Sequence, residues 1–293
     1  MKATLELKTQ AILGEGPVWD DSIQKLYWID IRSNQVNRYD PISKQNESWD
    51  LDQMVGCIVP KNSEIIVCAL QDQLLELNTS TYKTRTLAPL EKHLPDNRAN
   101  DGKADPGGRL WVGTLHLPGE KGHSNLYRIG EDLEEELQVS GLGMSNGLGW
   151  SPENDKMYLV DTMNEIILQF DYSIVDGTIT NRKTIIDLKD AEGSPDGMCV
   201  DAEGMLWIAF YGGKRVSRYD PSTGKELSAI EVPGVLNVTC CSFGGRDLDT
   251  LYITTASQDM SEDDLKKYPE SGSLFSVKPG VKGLPLNRFS YNA

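Results

Sequence analysis

The sequence predicts an all-β protein, a six-bladed β-propeller with a central channel, as one domain over residues 1–293. Three observations support this prediction. Strand-like segments dominate, one short phrase recurs at intervals of 39 to 49 residues, and no linker-like stretch divides the chain. Periods of about 40–50 residues with several strands each are typical of propeller blades. With 39% hydrophobic and 25% charged residues, the composition excludes a chain that is disordered throughout.

The strand signal consists of short runs rich in Val, Ile, Tyr, Trp and Thr, bounded by Gly, Pro, Asn and Asp. Such runs are typical of antiparallel strands joined by tight turns. Helical periodicity is scarce. Only two charged segments, Glu131–Val139 and Met260–Tyr268, are compatible with short helices.

The recurring phrase consists of Leu or Met, an aromatic residue and an aliphatic residue after a turn. Its copies are Leu26-Tyr27-Trp28, Leu110-Trp111-Val112, Met157-Tyr158-Leu159, Leu206-Trp207-Ile208 and Leu251-Tyr252-Ile253, with a weaker copy at Ile65-Ile66-Val67. Six copies predict six blades of about four strands each. To close the ring, we expect the N-terminal strand around Leu5–Lys8 to pair in the blade that contains Ser273–Val277.

Charge and hydropathy exclude several classes of protein. Lys and Arg number 29 against 44 Asp and Glu, so the net charge is −15, and an acidic chain without a basic stripe argues against nucleic-acid binding. The longest apolar run, Met205–Tyr211, is far shorter than the ~20 residues of a membrane helix. The N-terminus has no apolar signal region, and the five cysteines form no CxxC motif. We therefore expect a cytoplasmic protein with buried free thiols.

Four segments with polar residues and glycines precede aromatic phrases, where a propeller places the mouth of its channel. They are Gly14–Pro17, Arg98–Gly102, Ser145–Leu148 and Ser194–Met198. Each segment alone is better explained as a tight turn. Glu15, Asn146 and Asp196, however, stand at about the same place in three different blades. Two carboxylates and an amide oxygen form a hard-oxygen set, which predicts one divalent metal ion, Ca²⁺ first and Zn²⁺, Mg²⁺ or Mn²⁺ as alternatives.

Longer stretches carry a family resemblance. GEGPVWD, RANDGKADPGGRLWVGT, SNGLGWSPENDKMYLVDT and SPDGMCVDAEGMLWIAFYGGKRVSRYDPSTG resemble the regucalcin/gluconolactonase (senescence marker protein) family, from Gly14 to about Ser257. The resemblance implies a six-bladed propeller with one divalent metal that hydrolyses sugar lactones to aldonic acids. It further implies that the metal ligands are Glu15, Asn146 and Asp196, that Asp196 is also the catalytic acid/base, and that Arg98 and Asn100 bind substrate.

The chain departs from the family pattern after Gly113-Thr114. It reads Leu115-His116-Leu117-Pro118, where animal members carry an acidic pair that includes a substrate-contacting Glu. We expect His116 to reach the channel mouth as a substrate-binding residue. Asp101, Lys103 and Asp105 lack the rest of a calcium-binding EF-hand loop, and we expect them to stabilise a turn.

Two other functions remain open for this sequence. A phosphotriesterase on the same scaffold would need a more apolar channel than Arg98 and Asn100 predict. A non-enzymatic calcium-binding protein would not need a metal set and an arginine together in one channel. We expect a small-molecule sugar lactone as the partner, no nucleic acid or membrane, and a monomer or weak homo-oligomer.

Overall fold

The computed structural model describes residues 1–292, which form six four-stranded antiparallel sheets. The sheets are arranged around a central channel as the blades of a β-propeller, and the innermost strand of each blade contacts those of its neighbours. The prediction of a six-bladed propeller is confirmed.

In each of the first five blades the chain forms an up-and-down meander that runs from the innermost strand outward. The first three blades comprise β2 (Gly14–Asp20), β3 (Lys25–Asp30), β4 (Gln35–Asp40) and β5 (Gln45–Asp50); β6 (Val55–Pro60), β7 (Ile65–Leu70), β8 (Gln73–Asn78) and β9 (Thr84–Pro89); and β10 (Asn97–Ala104), β11 (Leu110–His116), β12 (Ser124–Ile129) and β13 (Glu135–Leu142). The fourth and fifth comprise β14 (Ser145–Trp150), β15 (Lys156–Asp161), β16 (Ile166–Tyr172) and β17 (Ile179–Asp187); and β18 (Ser194–Val200), β19 (Leu206–Tyr211), β20 (Arg215–Tyr219) and β21 (Glu226–Glu231).

The sixth blade closes the ring with both ends of the chain. It contains β22 (Asn237–Gly244), β23 (Thr250–Ala256), β24 (Leu274–Val277) and the N-terminal strand β1 (Thr4–Leu7). Strand β1 pairs antiparallel with β24, with Leu5 opposite Phe275. The predicted pairing of the N-terminal strand with the C-terminal blade is confirmed.

One of the two predicted helices is present. Helix α1 (Glu262–Lys267) begins at Ser261, whose side chain accepts a hydrogen bond from Asp264 N in a capping box. The prediction of a helix over Glu131–Val139 is wrong, because Glu135–Leu142 forms the outer strand β13. Pairing with β12, which sets Val139 against Leu126, prevails over the weak local helical signal.

The aromatic phrases form the second strand of each blade and supply its core. Trp28, Trp111 and Trp207 are fully buried. The indole nitrogens of Trp111 and Trp207 donate to carboxylates six residues earlier, those of Asp105 at 3.0 Å and Asp201 at 2.9 Å. Apolar side chains of adjacent sheets pack face to face, as Tyr27 in the first blade and Cys68 in the second share one cluster. The recurring phrase is therefore a packing repeat.

Each of the four polar segments, taken alone, suggested a tight turn. In the structure all four are part of strands instead. They lie at the beginning of innermost strands, where the pairing register shifts, for example between Glu15 and Val18 in β2 and between Pro195 and Met198 in β18. Such a bulge re-aims side chains at the start of a strand. No helix within residues 1–292 is long and apolar enough to cross a membrane.

Candidate active site

The candidate site lies where the innermost strands begin. Glu15 is the second residue of β2, Asn146 the second of β14 and Asp196 the third of β18. Because equivalent strands of a propeller run in the same direction along the channel, these positions face one mouth. Arg98 and Asn100 lie near the start of β10, so the structure brings them to the same end of the channel as Glu15, Asn146 and Asp196.

Asn146 and Asp196 are in direct contact. The Asn146 Nδ2 atom donates to Asp196 Oδ1 at 2.5 Å and to Thr162 Oγ1 at 3.0 Å. Asn146 is 4% exposed and Asp196 is 7% exposed. The amide thus connects the fourth and fifth blades and holds the Asp196 carboxyl group in one orientation.

The carboxyl groups at this mouth are held in an environment that disfavours their charge. Burial, together with the nearby Asp196 and Asp101 carboxylates, raises the pKa of Glu15 well above its ordinary value. Burial also raises the pKa of Asp196 to about 8, against the lowering effect of the hydrogen bond from Asn146. A positive charge placed between these groups would reverse both shifts, because it would stabilise the ionised forms.

The oxygen atoms that accept no hydrogen bond at the mouth are suitable ligands for a hard cation. Glu15 Oε2 accepts from Gly16 N at 3.0 Å, whereas within residues 1–292 Glu15 Oε1 and Asn146 Oδ1 accept no hydrogen bond. Asp196 Oδ2 likewise receives no side-chain donor from these residues. Three oxygens from two carboxylates and an amide suit Ca²⁺ or a similar divalent ion. No three His, Cys, Asp or Glu side chains of the described chain form a metal-binding group, so any site here depends on Asn146.

Arg98 is buried beside this set and only partly engaged. Its Nη1 atom donates to Ala99 O at 2.7 Å and to Asn100 Oδ1 at 3.1 Å. Burial lowers the pKa of Arg98 to about 10, although the Glu15 carboxylate acts in the opposite direction. Because no other hydrogen bond holds the guanidinium within residues 1–292, its remaining N–H groups are available to a bound molecule.

Both hydrogen-bonding groups of the Asn100 side chain have partners within the protein. Its Nδ2 atom donates to Ser145 O at 2.9 Å, which links the third blade to the fourth, and its Oδ1 atom accepts from Arg98. The side chain therefore orients Arg98. Its predicted contact with substrate stays a prediction.

His116 lies at the end of β11, opposite Asn97 at the start of β10, and therefore at the same end of the channel as the other predicted site residues. Its ring stacks on that of His123 with centroids 4.6 Å apart, and its Nδ1 atom accepts from Glu120 N at 3.3 Å. The loop between them contains Gly119 and Gly122, both at positive φ with open space around them. A substrate contact by His116 remains a prediction.

Asp101 and Lys103 were expected to stabilise a turn, and the structure places them in the channel instead. Asp101 is 7% exposed, its Oδ1 atom accepts from Gly102 N at 2.7 Å, and its buried Oδ2 atom has no partner within residues 1–292. The Lys103 ammonium donates to Met198 O. The bulge in β10 turns both side chains inward, a register change that residue types alone do not reveal. Asp105 behaves as expected, since it accepts from Arg109 N at 2.8 Å.

A cavity lies at the opposite end of the channel from the candidate site. It has a volume of about 420 Å³, and its lining includes Trp150, Phe243 and Leu286 together with Lys103. The C-terminal segment covers this end, where Phe289 N donates to Pro60 O and Ser290 N to Gly108 O. None of the predicted site residues lines this cavity, so it is separate from the candidate site.

Known proteins resemble this chain over nearly its whole length. The family model described as SMP-30/gluconolactonase/LRE-like region matches residues 13–257. YvrE of Bacillus subtilis (strain 168), named as a candidate sugar lactone lactonase, is 38% identical over 280 residues, covering 95% of each chain. Regucalcin of Danio rerio is 36% identical over 97% of each chain. The solved structure of a calcium-binding protein, regucalcin, from Agrobacterium tumefaciens is 28% identical with a TM-score of 0.93, covering 100% of this chain and 98% of that one.

Proposed function

The chain belongs to the SMP-30/gluconolactonase/LRE-like family, and from that premise we propose that it hydrolyses a sugar lactone to the aldonic acid with the help of a divalent cation. The observation that carries the proposal is the meeting of Glu15, Asn146 and Asp196 beside the partly engaged guanidinium of Arg98. A calcium-binding scaffold without catalytic function would have no use for that arginine.

The residues that would hold the cation are Glu15, Asn146 and Asp196, each through one oxygen. Ca²⁺ suits this set, and Zn²⁺, Mg²⁺ and Mn²⁺ are the alternatives. When bound, such an ion supplies Lewis-acid polarisation of a carbonyl group and lowers the pKa of nearby acids.

The chain's own residues then account for the remaining steps. The Asp196 carboxylate accepts a proton from the attacking water as the water oxygen bonds to the carbonyl carbon. The bond between that carbon and the ring oxygen breaks, and Asp196 returns the proton to the ring oxygen, which becomes the hydroxyl of the open acid. Arg98 donates to substrate oxygens and fixes the ring against Asp196, with Asn100 holding the guanidinium in place.

The test is a panel of aldonolactones (glucono, galactono, xylono, arabinono and rhamnono) assayed by acid release, with a phosphotriester as the competing substrate class. The protein is stripped with EDTA, its metal content is verified, and Ca²⁺, Zn²⁺, Mg²⁺ or Mn²⁺ is added back. We expect lactone hydrolysis that disappears without metal while the far-ultraviolet circular dichroism spectrum is retained, because the apolar blades hold the ring. Full turnover after verified metal removal, or hydrolysis of the phosphotriester alone, would contradict the proposal.

We also propose a cytoplasmic location. All five cysteines, Cys57, Cys68, Cys199, Cys240 and Cys241, are buried and unpaired by disulfides, as suits a reducing compartment. A monomer or weak homo-oligomer is the proposed state, which size-exclusion chromatography would check.

A further inference from the structure

Arg32 lies on the rim of the candidate site. It stands in the turn that joins β3 to β4, directly after the end of β3 that pairs with the start of β2, where Ile29 lies opposite Glu15. Its Nη1 atom is 4.0 Å from Met54 Sδ, just before the innermost strand of the second blade. The exposed side chain of Arg32 therefore reaches from the first blade to the edge of the second.

Within residues 1–292, Arg32 forms no ion pair with a carboxylate, although it lies at the mouth of the channel. Six of the eleven arginines do form such ion pairs, namely Arg38, Arg85, Arg109, Arg128, Arg218 and Arg288. Within residues 1–292 the only hydrogen-bond contact of the Arg32 side chain is the one to Met54. In a chain of net charge −15, a cation left unpaired at the channel mouth is available for an anionic ligand.

The two guanidiniums at this mouth, those of Arg32 and Arg98, are close enough to repel each other. The charge of Arg32 is one of the causes that lower the pKa of Arg98. Arg98 lies deep beside Glu15 and Asp196, and Arg32 lies above it on the rim. A molecule whose reacting end is at Arg98 would thus extend its far end toward Arg32, and a negative group there would relieve the repulsion.

We infer that Arg32 is a specificity-determining residue that selects lactones bearing an anionic group, a carboxylate or a phosphate, at the end of the sugar remote from the ring carbonyl. This inference rests on the proposed function and narrows its substrate class. A guanidinium binds both groups with paired N–H donors, so the anion is the recognised feature.

The experiment compares three lactones with the metal-loaded protein: glucono-1,5-lactone, its 6-phosphate, and glucaro-1,4-lactone, which carries a free carboxylate. We expect kcat/KM for at least one anionic lactone to exceed that of the neutral one by about tenfold or more, as a charge-assisted hydrogen bond allows. Arg32→Gln should remove that preference and change kcat/KM for the neutral lactone less than about twofold. The two anionic lactones distinguish phosphate from carboxylate recognition.

Arg246→Gln is the matched control, since Arg246 is an exposed arginine in the turn between β22 and β23, away from the mouth, and the charge change is the same. Equal kcat/KM for neutral and anionic lactones, or an equal loss on all three in Arg32→Gln, overturns the inference.

Calorimetric titration with gluconate, 6-phosphogluconate and glucarate tests the role of Arg32 independently of lactone hydrolysis. If no lactone is hydrolysed, the proposed function fails. A preference for the two acids that carry a second anionic group, abolished by Arg32→Gln, would still support the role of Arg32, whereas equal affinities for all three acids would refute it.

Discussion

The Nδ2 atom of Asn146 lies 2.5 Å from Oδ1 of Asp196, so one amide joins two blades at the mouth of the channel. Because the nitrogen faces Asp196 and Thr162, the amide oxygen is turned away from both. The same hydrogen bonds that hold the two blades in register thereby point one oxygen of the proposed ligand set at the site. Loss of this amide should affect cation binding before it affects the fold.

Asn146→Ala removes both the proposed ligand and the bridge. We expect the affinity for the divalent cation to fall more than about 100-fold, and Thr162→Val, which removes only the supporting hydrogen bond, to weaken it about tenfold, as is usual for partners of metal ligands. Calorimetric titration of the metal-free protein with Ca²⁺ measures both. Equal affinities of Asn146→Ala and the unaltered protein would exclude Asn146 as a ligand.

Asp196 and Arg98 should separate into different kinetic roles. Asp196→Asn retains an oxygen but loses the base, so we expect kcat to fall by about 10²–10⁴-fold on the best lactone even in saturating metal. Arg98→Lys retains the charge but loses the planar fork, so it should raise KM more than it lowers kcat. Steady-state kinetics in metal excess measures both variants. Near-normal kcat in Asp196→Asn would make Asp196 a ligand only and direct the search for the base to His116.

The six-bladed ring could be predicted from the sequence because the same pattern of buried residues recurs along the chain. The aromatic phrase marks the second strand of each blade, where residues such as Trp111 and Trp207 must be buried. The prediction of a helix over Glu131–Val139 is wrong because an outer strand faces solvent, so its sequence is rich in charged residues and has weak periodicity. Its pairing with β12, which decides its conformation, is a tertiary interaction.

The convergence of Glu15, Asn146 and Asp196 could be predicted for the same reason, since the three residues occupy equivalent places in three repeats, whereas their role as metal ligands stays a prediction. Asp101 and Arg32 could not be predicted in this way. The direction of the Asp101 side chain depends on the bulge in β10, and the role inferred for Arg32 depends on its proximity to Arg98, two blades away. Neither property belongs to a local pattern of residues.

The close approach of the innermost strands depends on glycine at Gly147. A Cβ atom there would lie 2.3 Å from Met198 N and 2.7 Å from Gly197 C, and backbone atoms of β18 cannot move aside independently. We expect Gly147→Ala to lower the free energy of unfolding by about 2–3 kcal/mol, and to weaken cation binding because Asn146 and Asp196 are pushed apart. Urea unfolding measures the first effect. Gly130→Ala is the control, since its Cβ would meet nothing closer than Asp132 Oδ1 at 3.4 Å, and a comparable loss there would contradict the packing argument.

The C-terminal segment should be anchored by a pH-dependent ion pair. Arg288 Nη2 lies 2.6 Å from Oδ1 of Asp20, which is fully buried. Burial opposes the charge of Asp20, but hydrogen bonds from Arg288 and Ser22 prevail and lower the pKa of its carboxyl group. A carboxyl group whose pKa is lowered by folding contributes stability above its unfolded pKa of about 4 and loses it as the pH falls through the lower folded value.

Arg288→Met should therefore lower the free energy of unfolding by about 1–3 kcal/mol at pH 7, the usual contribution of hydrogen bonds to a charged group. The difference from the unaltered protein should shrink as the pH falls below about 4, because Asp20 then becomes protonated in both proteins. Urea unfolding at pH 7, 5, 4 and 3 measures this trend. Lys282→Met makes the same charge change at an exposed lysine of the same segment and should have little effect at any pH. A difference for Arg288→Met that stays constant from pH 7 to 3 would show that Arg288 acts through packing and not through the Asp20 carboxylate.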